Sequence, residues 1–211
     1  MEAKQRIIEQ ARDLFFRLGI RSVSMDDIAS QMGISKKTIY QHFTDKDELV
    51  ESIVIKETER MQDDCKMLCD TADNAVHEIF KTMEMVVEQF RNINSIVLFD
   101  LQKFHFKAFE RFMEYRNSFL IKIIANNLEK GVNEGNYRYD INIDVLSKFR
   151  LESMMLAYNP GAFPPDKYNA AEVTLIMIEN FLYGVSTEKG YKQIEEYKKE
   201  RNNKWTIKQE L

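Results

Sequence analysis

Between Ser24 and Phe43 the chain must fit two helices and the turn that joins them. Ser24 is a helix cap, and Asp27, at the third helical position, completes a capping-box pattern. Met25, Ile28, Ala29 and Met32 then follow at helical spacing until Gly33 stops the helix. Ser35 caps the next helix, which carries Ile39, Tyr40 and Phe43. Two helices cross steeply through so short a turn only under tight constraints. Ala29 is small enough for close approach, Gly33 can take the positive φ the turn needs, and Ile34 and Ile39 plug the space beside Ile28 and Met32. That pattern is a helix-turn-helix, whose second helix enters the major groove by its N-terminal end.

The entering end carries Ser35, Lys36, Lys37 and Thr38. Free backbone N–H groups and two lysines suit phosphate, while the hydroxyls and lysines can also reach base edges. Tyr40, His42 and Lys46 stand where a duplex flank would pass, as phosphate contacts, and Ser24 joins them as a candidate DNA contact. A plainer reading makes Lys36 and Lys37 a solvated pair on a generic helical corner. The whole constellation favours DNA.

The rest of the chain is built for helices. Seven Gly and three Pro among 211 residues leave little room for the tight turns of a sandwich or barrel. Ile7, Ile8, Ala11, Leu14, Phe15 and Leu18 make a first helix closed by Gly19. Thr44 is the expected cap of a fourth, long helix running to about Cys69. A stripe from Ala75 to Phe90 follows, then apolar segments from Ile96 to about Phe106 and from Phe109 to about Val132. Asn133–Asn136 breaks the pattern, and helices are expected over about 143–158 and 168–186, ahead of a charged tail from Gly190 read as a solvated helix that docks on the bundle. The fold expected is all-α: a helix-turn-helix domain over 1–46, joined by a connecting helix at about 45–69 to a larger helical domain over 47–211.

Residues 7–54 resemble the DNA-binding domain of the tetracycline-repressor (TetR) family. Its pattern stands here as Ala11, Leu14-Phe15, Gly19, Asp27-Ile28-Ala29, Gly33 to Tyr40, His42-Phe43, Lys46 and Leu49, with Lys37 where many members have Gly. The resemblance implies a homodimeric regulator, usually a repressor of a palindromic operator that a small ligand releases. It also implies a four-helix dimer interface built from the helices at about 143–158 and 168–186. Tyr158, Leu175, Ile176, Glu179, Leu182 and Tyr183 are the candidate interface residues. Residues 99–119 are dense in aromatic side chains, a composition that suits an apolar pocket. Phe99, Phe109, Phe112, Tyr115 and Phe119, with Met83, Phe90 and Met154, are its candidate lining, for a small apolar or aromatic ligand.

Other functions find little support. His42, His77 and His105 form no zinc pair, since Lys81 stands where a second histidine would follow His77-Glu78. The scattered glycines make no phosphate loop or dinucleotide fingerprint, so neither an enzyme nor a cofactor or metal is expected. Net charge is −4, with residues 1–50 neutral, so binding by bulk charge is excluded and a local site is required. Cys65 and Cys69 read as buried reduced thiols, and no apolar run is long enough to span a membrane, so a cytoplasmic location is expected. The rival class is a helical module that holds a ligand or partner without specific DNA binding; a steep salt slope and a palindromic preference separate the two.

Overall fold

The computed structural model describes residues 3–90 and 93–209, with side chains described for 3–89 and 93–201. Helix α1 (Ala3–Leu18) is followed by the short pair α2 (Met25–Met32) and α3 (Lys36–Tyr40). The long α4 (Lys46–Thr71) leads into α5 (Ala75–Phe90). Next come α6 (Ile96–Phe104), α7 (Phe106–Tyr115), a π-helical turn at Arg116–Leu120 and α8 (Ile121–Asn133). The chain ends with α9 (Ile143–Leu156), α10 (Ala170–Val185) and α11 (Glu188–Gln209). No strand occurs among the described residues; one isolated bridge joins Tyr137 and Ser186. No helix of the described residues is long and apolar enough to cross a membrane.

Local bonds explain the helix boundaries. The cap of α4 is Asp45, not Thr44: the Asp45 carboxylate accepts from the Glu48 N–H at 2.8 Å. Thr44 instead gives its own N–H and hydroxyl to Glu48, at 2.6 and 2.8 Å. Acidic residues in the first turn of α4 also suit the positive end of the helix. The expected single segment from Phe109 to Val132 begins earlier, at Phe106, and passes through the π turn.

Two apolar cores result. The first gathers Ile7, Phe15, Ile28, Ile39 and Phe43 with Leu49, Val50 and Ile53 of α4, and it also takes in Leu101 of α6 and Ala108 of α7. The helix-turn-helix therefore shares its core with the larger bundle. The second core joins Ala75, Phe80, Met83, Leu128, Tyr137, Ile178, Leu182 and Ile194. Tyr137 lies against Gly131, where a Cβ would stand 2.0 Å from its ring, and its hydroxyl donates to Ala75 O and Asn127 Oδ1, each at 3.2 Å.

The charged tail docks, as its expected helix suggested. Ile194 is fully buried, Tyr197 stacks on His77 at 4.7 Å, and Lys198 and Arg201 bond Glu179 of α10. That docking decides which face of α10 remains open.

Candidate nucleic-acid interface and ligand cavity

The helix-turn-helix is closed by reciprocal caps. Ser24 Oγ accepts from Asp27 N at 3.2 Å, while Asp27 Oδ2 accepts from Ser24 N at 2.8 Å and from the Ser24 hydroxyl at 2.6 Å. These bonds, the side-chain one first, hold the Asp27 carboxyl below its usual range. At the turn, Gly33 has φ +64° and Ile34 N donates to Ala29 O at 3.0 Å, the closure typical of a helix ending on glycine. Ser35 Oγ accepts from Thr38 N at 3.2 Å and lies 2.9 Å from the Thr38 hydroxyl. Ile39 and Phe43 are buried beneath, so α3 is anchored by one side and open on the other.

The open side brings together most of the candidate DNA contacts. Ser24, Ser35, Lys36, Lys37 and Tyr40 are exposed; Thr38 and His42 are half-buried. Lys36 is paired with Asp26 at 2.6 Å, and that bond raises its pKa. Its ammonium lies 6.0 Å from the Tyr40 ring centroid. Lys37 makes no side-chain hydrogen bond or ion pair among the described residues, which leaves it available to a base edge.

Lys46 departs from this pattern. Its ammonium is turned inward, donating to Ile20 O at 2.6 Å and Val23 O at 2.5 Å, above the Phe15 ring at 5.4 Å. Burial lowers its pKa. Lys46 therefore clamps the α1–α2 loop to the start of α4 and does not point at a duplex. A cation the sequence reading missed, Lys4, lies 5.3 Å from the Phe43 ring centroid. Only its wide separation in sequence from α3 concealed it.

Beneath the helix-turn-helix lies an apolar cavity of about 280 Å³. Phe112, Tyr115 and Met154 line it as expected. The other candidates are elsewhere. Met83 is sealed in the second core against Arg201, with sulfur and guanidinium 3.4 Å apart. Phe109 packs on the first core, Phe99 lines an outer groove, and Phe119 stacks on Tyr115 at 5.6 Å outside the lining. The side chain of Phe90 lies outside the described residues. Unforeseen lining comes from Cys65 and Cys69 of α4, Ile123 of α8, Arg150 of α9, and Phe15, Phe16 and Ile20 of the DNA-binding end. Burial pushes the Cys65 thiol up to about 11; burial and then Glu78 push Cys69 up to about 12. Both stay protonated at neutral pH. Among the described residues no cluster of His, Cys, Asp or Glu could hold a metal ion.

Two contacts tie the cavity wall to the DNA-binding end. Arg21 N donates to the buried Asp100 of α6 at 2.9 Å, and His105, between α6 and α7, meets Asp47 at 2.6 Å.

The candidate interface residues need correction. Leu182 is buried in its own chain's core, and Leu175 packs against that core. Glu179 bonds Lys198 and Arg201, and Tyr183 gives its hydroxyl to Glu195 at 2.5 Å, so α11 occupies that face. Tyr158 lines the cavity and the outer groove. Of the six, Ile176 alone stands fully outward, 62% exposed; Val145, Phe149 and Leu156 of α9 are exposed as well.

Residues 7–53 match the family model described as bacterial regulatory proteins, tetR family. The chain is 23% identical over 170 residues to the HTH-type transcriptional repressor KstR2 of Mycolicibacterium smegmatis, covering 75% of this chain and 80% of that one. Among solved structures it resembles the ketosteroid transcriptional regulator KstR2 of Mycobacterium tuberculosis, with a TM-score of 0.62, 20% identity, and coverage of 89% of this chain and 96% of that one. It also resembles SCO4454, a TetR-family transcriptional regulator from Streptomyces coelicolor, with a TM-score of 0.66, 18% identity, and coverage of 88% and 96%.

Proposed function

We propose that the chain, whose residues 7–53 match the TetR family of bacterial regulatory proteins, is a ligand-released repressor that binds a palindromic operator as a homodimer. The observation that carries this reading is the shared wall. Phe15, Phe16 and Ile20 face the ligand cavity, and they belong to the domain that presents Lys37 to DNA.

Lys37 takes the groove with Ser35 and Thr38 beside it, and Tyr40 and His42 meet the flanking phosphates. The outward surface of α9 and α10 around Phe149 and Ile176 is the dimer face. Four exposed apolar side chains on two helices that pack together suit a helix-on-helix interface between copies. A dimer must hold its two recognition helices about one DNA turn, ~34 Å, apart. A small apolar ligand entering the cavity wedges α4, α7 and α8 apart and swings α4, which moves the two helices out of register. Release requires that the ligand prefer the swung state. The protein acts in the cytoplasm, where its operator is.

The test is operator affinity with and without a saturating cavity occupant. The protein is first unfolded and refolded to strip any co-purified ligand. Weaker operator binding with the occupant supports release; equal affinity rejects it.

A further inference from the structure

Three residues lining the cavity are of charged type: Glu57, Glu78 and Arg150. The two acids are neutralised from outside the cavity. Glu57 is held by Arg12 at 2.8 Å and Arg60 at 3.0 Å, and Glu78 by Lys130 at 3.3 Å. Arg150 has no such counterpart among the described residues. It is 6% exposed, and its one side-chain bond among the described residues runs from Nη1 to Ser153 Oγ at 3.3 Å. Ser153 gives its own hydroxyl proton to the Arg150 carbonyl at 2.7 Å, and the nearby Glu152 is taken by Arg116 at 2.6 Å. Burial lowers the Arg150 pKa only to about 10, so the guanidinium stays charged. The cavity wall also holds Tyr158, whose hydroxyl has no hydrogen bond among the described residues.

A buried charge without a counter-ion is expensive, and an apolar wall around it offers no relief. The missing partner is one negative charge. We propose that the cavity takes a singly charged carboxylate with an apolar body, its head paired with Arg150 and accepting from the Tyr158 hydroxyl. This rests on the cavity being the ligand site proposed above. A guanidinium binds a carboxylate in a two-pronged fork. A phosphate dianion would leave an unmatched negative charge in the same wall, and a cation would double the positive one. The volume, about 280 Å³, is nearly twice the ~150 Å³ of a cavity that accepts benzene, which suits a medium-length chain or a two-ring body.

Octanoate and 1-octanol, matched in length and different in head group, are the probes. The refolded full chain is titrated calorimetrically with each, as wild type, Arg150→Met and Arg150→Lys. Wild type is expected to bind octanoate at least tenfold more tightly than 1-octanol, and Arg150→Met to invert that order. Arg150→Lys keeps the order with a smaller ratio, because the charge remains and the fork is lost. Arg150→Met is also expected to melt at a higher temperature than wild type without ligand, whereas a purely structural arginine would give a lower one. Equal binding of the two probes by wild type, or an octanoate preference that survives in Arg150→Met, overturns the carboxylate assignment and leaves the cavity standing. Binding of neither probe to wild type overturns the cavity reading together with it. If Arg150→Met does not fold, the wild-type ratio and Arg150→Lys decide.

Discussion

Lys37 and Lys46 carry the same charge on neighbouring elements, yet their surroundings give them different work. Lys37 projects freely from α3, while Lys46 spends its ammonium on Ile20 O and Val23 O. Lys46→Ala should therefore lower the melting temperature by a few degrees, from about 1 kcal/mol of lost bonding after allowance for its partial exposure. The slope of operator affinity against salt should not change. A shallower slope would return Lys46 to the phosphate contacts. Lys37→Ala should instead relax base preference at one operator position, by about 1–3 kcal/mol, and Tyr40→Ala should weaken binding evenly across sequences. Selection of random duplexes by each variant reads both. The cysteines give a pH test. With thiols at about 11 and about 12, alkylation by iodoacetamide at pH 7.5 should be far slower than for a free thiol. The rate should climb close to tenfold per pH unit up to pH 9, as each unit adds thiolate. Ready labelling at neutral pH would contradict the burial of α4 against the cavity. The outward direction of Lys37 was legible in the sequence, because its position on α3 fixes it. Lys46 was not, because its partners are backbone carbonyls of a loop more than twenty residues earlier.

Helix ends and the turn were the most legible elements, since a cap is a bond within one turn of chain. Ser24, Asp27, Gly33 and Ser35 each do locally what their type suggests. The α4 cap misled because Thr44 and Asp45 are both good caps, and only the geometry shows which oxygen reaches the Glu48 N–H. The cavity was half legible. Aromatic density pointed to Phe112 and Tyr115, but whether a helix face meets a void or a neighbour depends on crossing angles. Arg150 was missed because a buried unpaired charge cannot be told from an exposed one by sequence. The surroundings of α10 were not legible for a comparable reason: the helix is apolar on several faces, and the docked α11 covers the one bearing Glu179 and Tyr183. The proposed dimer face has its own test. Phe149→Glu or Ile176→Asp should yield folded monomers by light scattering. Leu182→Ala should leave the dimer intact but cost about 2–5 kcal/mol of stability as a core cavity. A Phe149→Glu, Ile176→Asp double variant that remained a dimer would move the interface elsewhere.

Across the whole molecule, the helix-turn-helix and the bundle share one core with a void at their seam. The first core runs through both, and Arg21–Asp100 and His105–Asp47 pin α6 and α7 to the DNA-binding end. On the proposed reading, an occupant of the cavity presses on side chains that position α3, and no separate relay is needed. Residues 1–50 are neutral, so in the proposed dimer operator affinity rests on the placement of a few cations in each copy and not on bulk charge. The most direct measurement is selection of random and genomic duplex fragments by the refolded protein at near-physiological salt, read by sequencing. Enrichment of an inverted repeat with half-sites about one helical turn apart is the expected result. No enrichment from protein freed of ligand would contradict a dimeric operator-binding regulator and leave a helical ligand-binding bundle in its place.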